Sequence, residues 1–154
     1  MNNNVIKAIV TAVTGFLSSI LGILYVPVLL MVACNLIDYI TGLVAAKYRT
    51  DGGISSYKSM KGITKKVMMW LLVVVGAIID QVLAYASATL GFAMPFTFLV
   101  ACIVAIWIIC NEIISILENM LDIGVEIPGF LLPLVKSIKR QAESATGIEE
   151  DKEE

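Results

Sequence analysis

The stretch "YVPVLLMVACNLIDYITGLVAAK", residues 25–47, decides the fold class. From Tyr25 to Ala46 it holds one charged residue, Asp38, and ends on Lys47 with Arg49 close behind. As a helix this run rises about 33 Å, enough for a hydrocarbon layer of about 30 Å. Pro27 falls in the first turn, where a missing N–H costs least. The run reads as a membrane-spanning helix.

Working outward, the polar segment "KYRTDGGISSYKSMKG" (residues 47–62) follows, with Asp51-Gly52-Gly53 as a turn. Ser55 or Ser56 suits the N-cap of the next helix. That helix is expected over about Ile63–Ala86, carrying Asp80, with an uncharged connector at residues 87–92. A third span begins near Pro95 and runs to about Glu112, its helical pattern continuing toward Asp122 before Gly124 and Pro128 end it. After it, "GFLLPLVKSIKRQAES" (residues 129–144) sets Leu131, Leu134, Val135 and Ile138 beside Lys136, Lys139 and Arg140. Such a segment, placed at 129–142, suits an anionic lipid surface. On the upstream side, residues 5–21 put Lys7, Thr11, Thr14 and Ser18 on one stripe, with Ile6, Ile9, Val10, Val13, Phe16, Leu17 and Ile20 opposite. That segment reads as an amphipathic interfacial or re-entrant helix, with a fourth crossing as the alternative. The expected architecture is an all-α integral membrane protein, a single membrane domain over residues 1–142 with about three spans.

Composition agrees. The chain has 154 residues, 58% hydrophobic and 16% charged, with a mean hydropathy of +0.89; soluble domains run at about 45–50% apolar and about 25% charged. Histidine is absent, which removes the common nucleophile–base and metal constellations. Cys34, Cys102 and Cys110 lie in apolar runs without a C-x-x-C pair and read as small buried hydrophobes. No nucleotide loop, metal cluster or activated nucleophile is visible, so neither an enzyme nor a cofactor is expected. The acids of residues 143–154 form a tail expected to be solvated and disordered, leaving residues 1–142 net positive. Lys47, Arg49, Lys58, Lys61, Lys65 and Lys66 make the first inter-span segment basic, while the second carries no charge. By the positive-inside rule the basic segment and the C-terminus face the cytoplasm. Beside a span, these lysines read as topology and headgroup features rather than a nucleic-acid site.

Three acids need a reason to be where they are. Asp38, Asp80 and Glu112 fall within or at the ends of spans, at about 2.5–3.5 kcal/mol for an acid near a helix centre. They are candidates for gating or pore lining; the alternative is an acid hydrogen-bonded between helices, or for Glu112 one that snorkels to the interface. No base is expected at matching depth, so intramembrane ion pairing is not expected. Asp38, Thr41, Gly42, Ala45 and Ala46 share one helix face, and Gly42 and Ala46 permit close approach, within the chain or between copies. Tyr25, Trp70, Tyr85 and Trp107 are placed near span ends, as interface anchors.

Taken in order, "LIDYITGLVAAK" (36–47), Ser55 and Ser56, "KGITKKV" (61–67), Asp80, and "NEIISILENMLDIGVEIP" (111–128) resemble the toxin-secretion and phage-lysis holin family. The resemblance covers roughly residues 25–135, and the order and spacing are more specific than any single element. It implies a small phage or prophage protein of the bacterial cytoplasmic (inner) membrane that self-associates and opens lesions, through which a cytoplasmic endolysin or a toxin leaves. The endolysin would be a functional partner without direct contact. Rival readings from the residues are a small regulated ion channel or transporter subunit, and an accessory membrane scaffold.

Overall fold

The computed structural model describes residues 3–48, 56–91 and 99–145, apart from the side chains of 17, 18, 20 and 56–59. Five α-helices account for nearly all of these: α1 (Asn3–Leu21), α2 (Tyr25–Tyr48), α3 (Ser56–Leu90), α4 (Leu99–Ile123) and α5 (Leu131–Ser144). A 3-10 turn, Gly22–Leu24, joins α1 to α2. Among the described residues there is no strand.

Three of the helical stretches are long and apolar enough to cross a membrane: Gly22–Tyr48, Met60–Leu90 and Leu99–Ile123. Their outer faces confirm the solvent they are built for. Val67, Leu71, Val74, Val75, Ile78 and Val82 on α3 are all exposed, Val82 at 61%, an apolar wall that a water-soluble protein would cover. The amphipathic α1 is not one of the three, and Ile9, Val10, Val13 and Phe16 on its apolar face are likewise exposed.

The interior is organised by sevens. On α2 and the turn before it, Leu24, Met31 and Ala45 are buried and Asp38 is half-buried. On α3, the half-buried Lys66 is followed at the same interval by the buried Val73 and Asp80. On α4, Ala101 and Ile108 form one such row, and Ala105, Glu112 and Asn119 a second. Seven-residue spacing keeps a seam facing its neighbours along nearly aligned helices. Helix α4 is central, packing on α2, α3 and α5. Met31, Val73, Ala105 and Ile108 form the apolar core between the spans, and Cys110, Leu117 and Val135 join α4 to α5.

The element ends differ from expectation for local reasons. Helix α3 runs on to Leu90, through what reads as a connector, because Ala86, Ala88 and Thr89 contain no breaker; Thr89 donates its hydroxyl to Tyr85 O at 2.9 Å. Helix α4, by contrast, passes Glu112 and stops at Gly124 as its pattern predicts, at a φ of 90° that few other residues adopt. There Val125 N–H returns to Met120 O at 3.0 Å, closing the helix end. Of the two expected N-cap candidates, Ser56 is the first residue of α3; Ser55, the Asp51-Gly52-Gly53 turn and the Met94-Pro95 start lie outside the described residues. Glu143 and Ser144 belong to α5 rather than to the acidic tail; residues 146–154 lie outside the described residues.

Candidate functional site

Where α2, α3 and α4 meet, the inward rows bring their polar members to one level. Lys66 reaches from α3 to Asp38 on α2, with Nζ 2.9 Å from Oδ2, and donates to Glu112 Oε2 on α4. It also donates to Asn35 Oδ1 at 3.1 Å. Asp38 takes a further bond on its other oxygen, from Asn119 Nδ2 at 3.0 Å, and Asn119 lies 3.3 Å from Thr41 Oγ1. The Lys66, Asp38 and Glu112 side chains retain 20%, 14% and 6% exposure. One ammonium thus sits between two carboxylates, leaving a formal charge of −1 in a largely buried cluster.

This overturns the expectation that no base reaches the depth of the acids. Lys66 belongs to the basic segment by composition, but helix α3 begins well before it. Its seven-residue relation to Val73 and Asp80 turns it inward. Glu112 is buried against Lys66, and α4 continues beyond it to Ile123. Asn35 is the member that composition gave no reason to suspect; its own Nδ2 is buried without a hydrogen-bond partner.

Asp80 belongs to a separate locus, 14 residues or about 21 Å along α3 from Lys66. Its Oδ1 accepts Val100 N–H at 3.0 Å and its Oδ2 accepts Ala101 N–H at 2.9 Å. These donors lie in the first turn of α4, where no intrahelical acceptor exists and the helix dipole favours a carboxylate. Close approach is needed for the cap to reach. A Cβ on Gly76 would stand 2.9 Å from Ala101 Cα, so α3 and α4 touch backbone to backbone one turn from Asp80.

The small-residue face of α2 is used within the chain. Ala45 is fully buried, and a Cβ on Gly42 would be 3.5 Å from Asn119 Nδ2; Ala46 is half-buried. Lys47, Lys61 and Lys65 are exposed. Arg49 and the Lys58 side chain lie outside the described residues. Trp107 on α4 donates Nε1–H to Glu143 Oε1 of α5 at 2.8 Å, with Lys139 Nζ 5.0 Å from its ring centre. Among the described residues no His, Cys, Asp and Glu group is placed to hold a metal ion.

An apolar exterior, three spanning helices and a sequestered ionic cluster define a polytopic α-helical membrane protein. Comparison with known proteins gives the family. The bacteriophage holin family matches residues 15–140, and the chain belongs to it. A probable holin of Bacillus phage phi105 is 30% identical over 118 residues, covering 76% of this chain and 77% of the relative. An uncharacterized protein of Listeria innocua is 35% identical over 115 residues, 75% of this chain and 70% of that one. Another, from Listeria monocytogenes, is 37% identical over 98 residues, and the match spans 64% of this chain and 61% of that protein's length. No solved structure matches the chain.

Proposed function

We propose that the protein acts without catalysis, assembling with copies of itself in the bacterial cytoplasmic membrane and opening lesions that pass a folded endolysin or a toxin. In this reading the Lys66–Asp38–Glu112 cluster holds the closed state. The observation that carries it is the placement of one base and two acids inside a three-helix seam. Family membership supports the lytic role.

Charges removed from water carry a desolvation cost that mutual attraction offsets only in good geometry. Inside the closed seam the ammonium has three acceptors, which provides that geometry. If the helices part into a water-lined assembly, the same groups are hydrated and the seam has less to hold it. Closed and open states are then near enough in free energy for a membrane potential to bias them, at about 2.3 kcal/mol per elementary charge moved through 100 mV. Positive-inside bias puts Lys47, Lys61, Lys65 and the C-terminal segment on the cytoplasmic side. A chain with three spans encloses no wide passage alone, so protein-sized openings require many copies.

The test is inducible expression in a bacterium holding a folded cytoplasmic reporter enzyme, with reporter release followed against membrane potential. A delay at full potential, then abrupt collapse with release, is the expected result. Gradual depolarisation with the reporter retained indicates a small-solute channel instead. No effect after confirmed insertion indicates an accessory subunit.

A further inference from the structure

Between α4 and α5 lies a groove of about 680 Å³ that the ionic cluster does not use. Asn111 and Ile114 line it from α4, and Leu132, Lys136, Lys139 and Arg140 from α5. Asn111 adjoins Glu112 in sequence, so the groove lies level with the cluster, on a neighbouring face of α4. Lys136, Lys139, Arg140 and Glu143 follow one another at helical spacing, which places their side chains along one edge.

Three features give the groove its chemistry. Lys136 and Arg140 are exposed, and no salt bridge engages either of them among the described residues. Glu143, the acid on this lining, is held at Oε1 by Trp107, and Lys139 is held over the same ring. Asn111 Nδ2 is a buried donor without a hydrogen-bond partner. The walls below are apolar, Ile114 and Leu132. A cationic rim over an apolar floor fits an anion that carries a hydrocarbon chain; a free phosphate would leave the apolar walls unused.

We propose that this groove binds one anionic phospholipid. Lys136 and Arg140 take its phosphate oxygens, Asn111 faces the glycerol oxygens, and the first carbons of an acyl chain lie along Ile114 and Leu132. The space admits a headgroup and the start of one chain, with the remaining chain length leaving into the bilayer. Bound in this way, the lipid would fasten α5 to α4. The proposal rests on the protein being in a membrane and is independent of lesion formation.

The test uses the full chain with Trp70→Phe, so that Trp107 is its sole tryptophan, reconstituted in phosphatidylcholine vesicles. Phosphatidylglycerol is then titrated in and Trp107 emission recorded. The expected result is a saturable shift whose midpoint moves about thirtyfold higher in Lys136→Gln/Arg140→Gln, from two surface cations. Lys61→Gln/Lys65→Gln removes the same charge from α3 and is expected to keep the original midpoint. Helicity by circular dichroism confirms that each variant is folded. Equal midpoints in the groove variant and the parent overturn the proposal, as does an equal loss in the α3 variant. A shift produced by inorganic phosphate in phosphatidylcholine alone assigns the groove to free phosphate and also overturns it.

Discussion

At the scale of single residues the cluster is asymmetric, and the asymmetry makes predictions. Lys66 serves two carboxylates, so Lys66→Gln leaves two uncompensated acids in a buried seam, whereas Asp38→Asn leaves a matched Lys66–Glu112 pair. Breaking a buried pair by removing one partner costs about 3–5 kcal/mol. Lys66→Gln is therefore expected to lower the resistance of the detergent-solubilised protein to thermal unfolding far more than Asp38→Asn. Equal losses in the two variants would contradict the shared-base arrangement. At Gly76 the limit is steric: Gly76→Ala sets a Cβ against Ala101 backbone at 2.9 Å, where neither side can yield cheaply. Overpacking of this kind costs about 1–3 kcal/mol, and displacement of α3 also withdraws Asp80 from its cap. The same thermal assay, with Gly62→Ala as a control having open space around it, checks this. Asp38 and Asp80 are equally conspicuous in the sequence as acids in apolar runs, yet their partners are not equally legible. The cap on Asp80 depends on where α4 begins, beyond a stretch of apolar residues that contains no charge to mark it.

At the scale of helices, the spans are legible because apolar length is a one-dimensional property. The run from Tyr25 to Ala46 needs no partner to be recognised. The inward face of each span is harder to read, since lipid and core are both apolar and the contrast between sides nearly vanishes. Spacing of the exceptions resolves it: Lys66, Val73 and Asp80, like Met31, Asp38 and Ala45, repeat at seven, which amounts to a signal that the residues themselves carried. The reading of Lys66 as a loop charge followed composition where register was the better guide. Trp107 has partners that are not legible in the sequence, because they depend on how α5 folds back along α4. Its hydrogen bond to Glu143 and its contact with Lys139 tie α5 to α4. Trp107→Phe removes the bond and weakens the cation contact, at about 1–2 kcal/mol together. Faster limited proteolysis in the Gly124–Gly129 connection is the expected outcome in detergent; an unchanged rate would mean that the Cys110, Leu117 and Val135 packing holds α5 unaided.

At the scale of the whole molecule, the proposed orientation, with the basic segment on the cytoplasmic side, implies for three spans an N-terminus on the outer side. Asn3→Cys is thus expected to react with a membrane-impermeant thiol reagent on intact cells, in a background with Cys34, Cys102 and Cys110 replaced by alanine. Protection until permeabilisation would make α1 a fourth crossing. The larger claim is that a buried ionic cluster sets the balance between a closed bundle and an open assembly. The number of uncompensated acids in the seam, rather than any one side chain, should then govern timing. The most direct measurement is the interval from induction to collapse of membrane potential, at matched membrane protein levels, for three forms: the parent, Lys66→Gln, and the neutral triple variant Lys66→Gln/Asp38→Asn/Glu112→Gln. The account predicts early collapse for Lys66→Gln and a delay restored toward that of the parent in the triple variant. An unchanged interval for Lys66→Gln, or a triple variant as early as the single one, would contradict it.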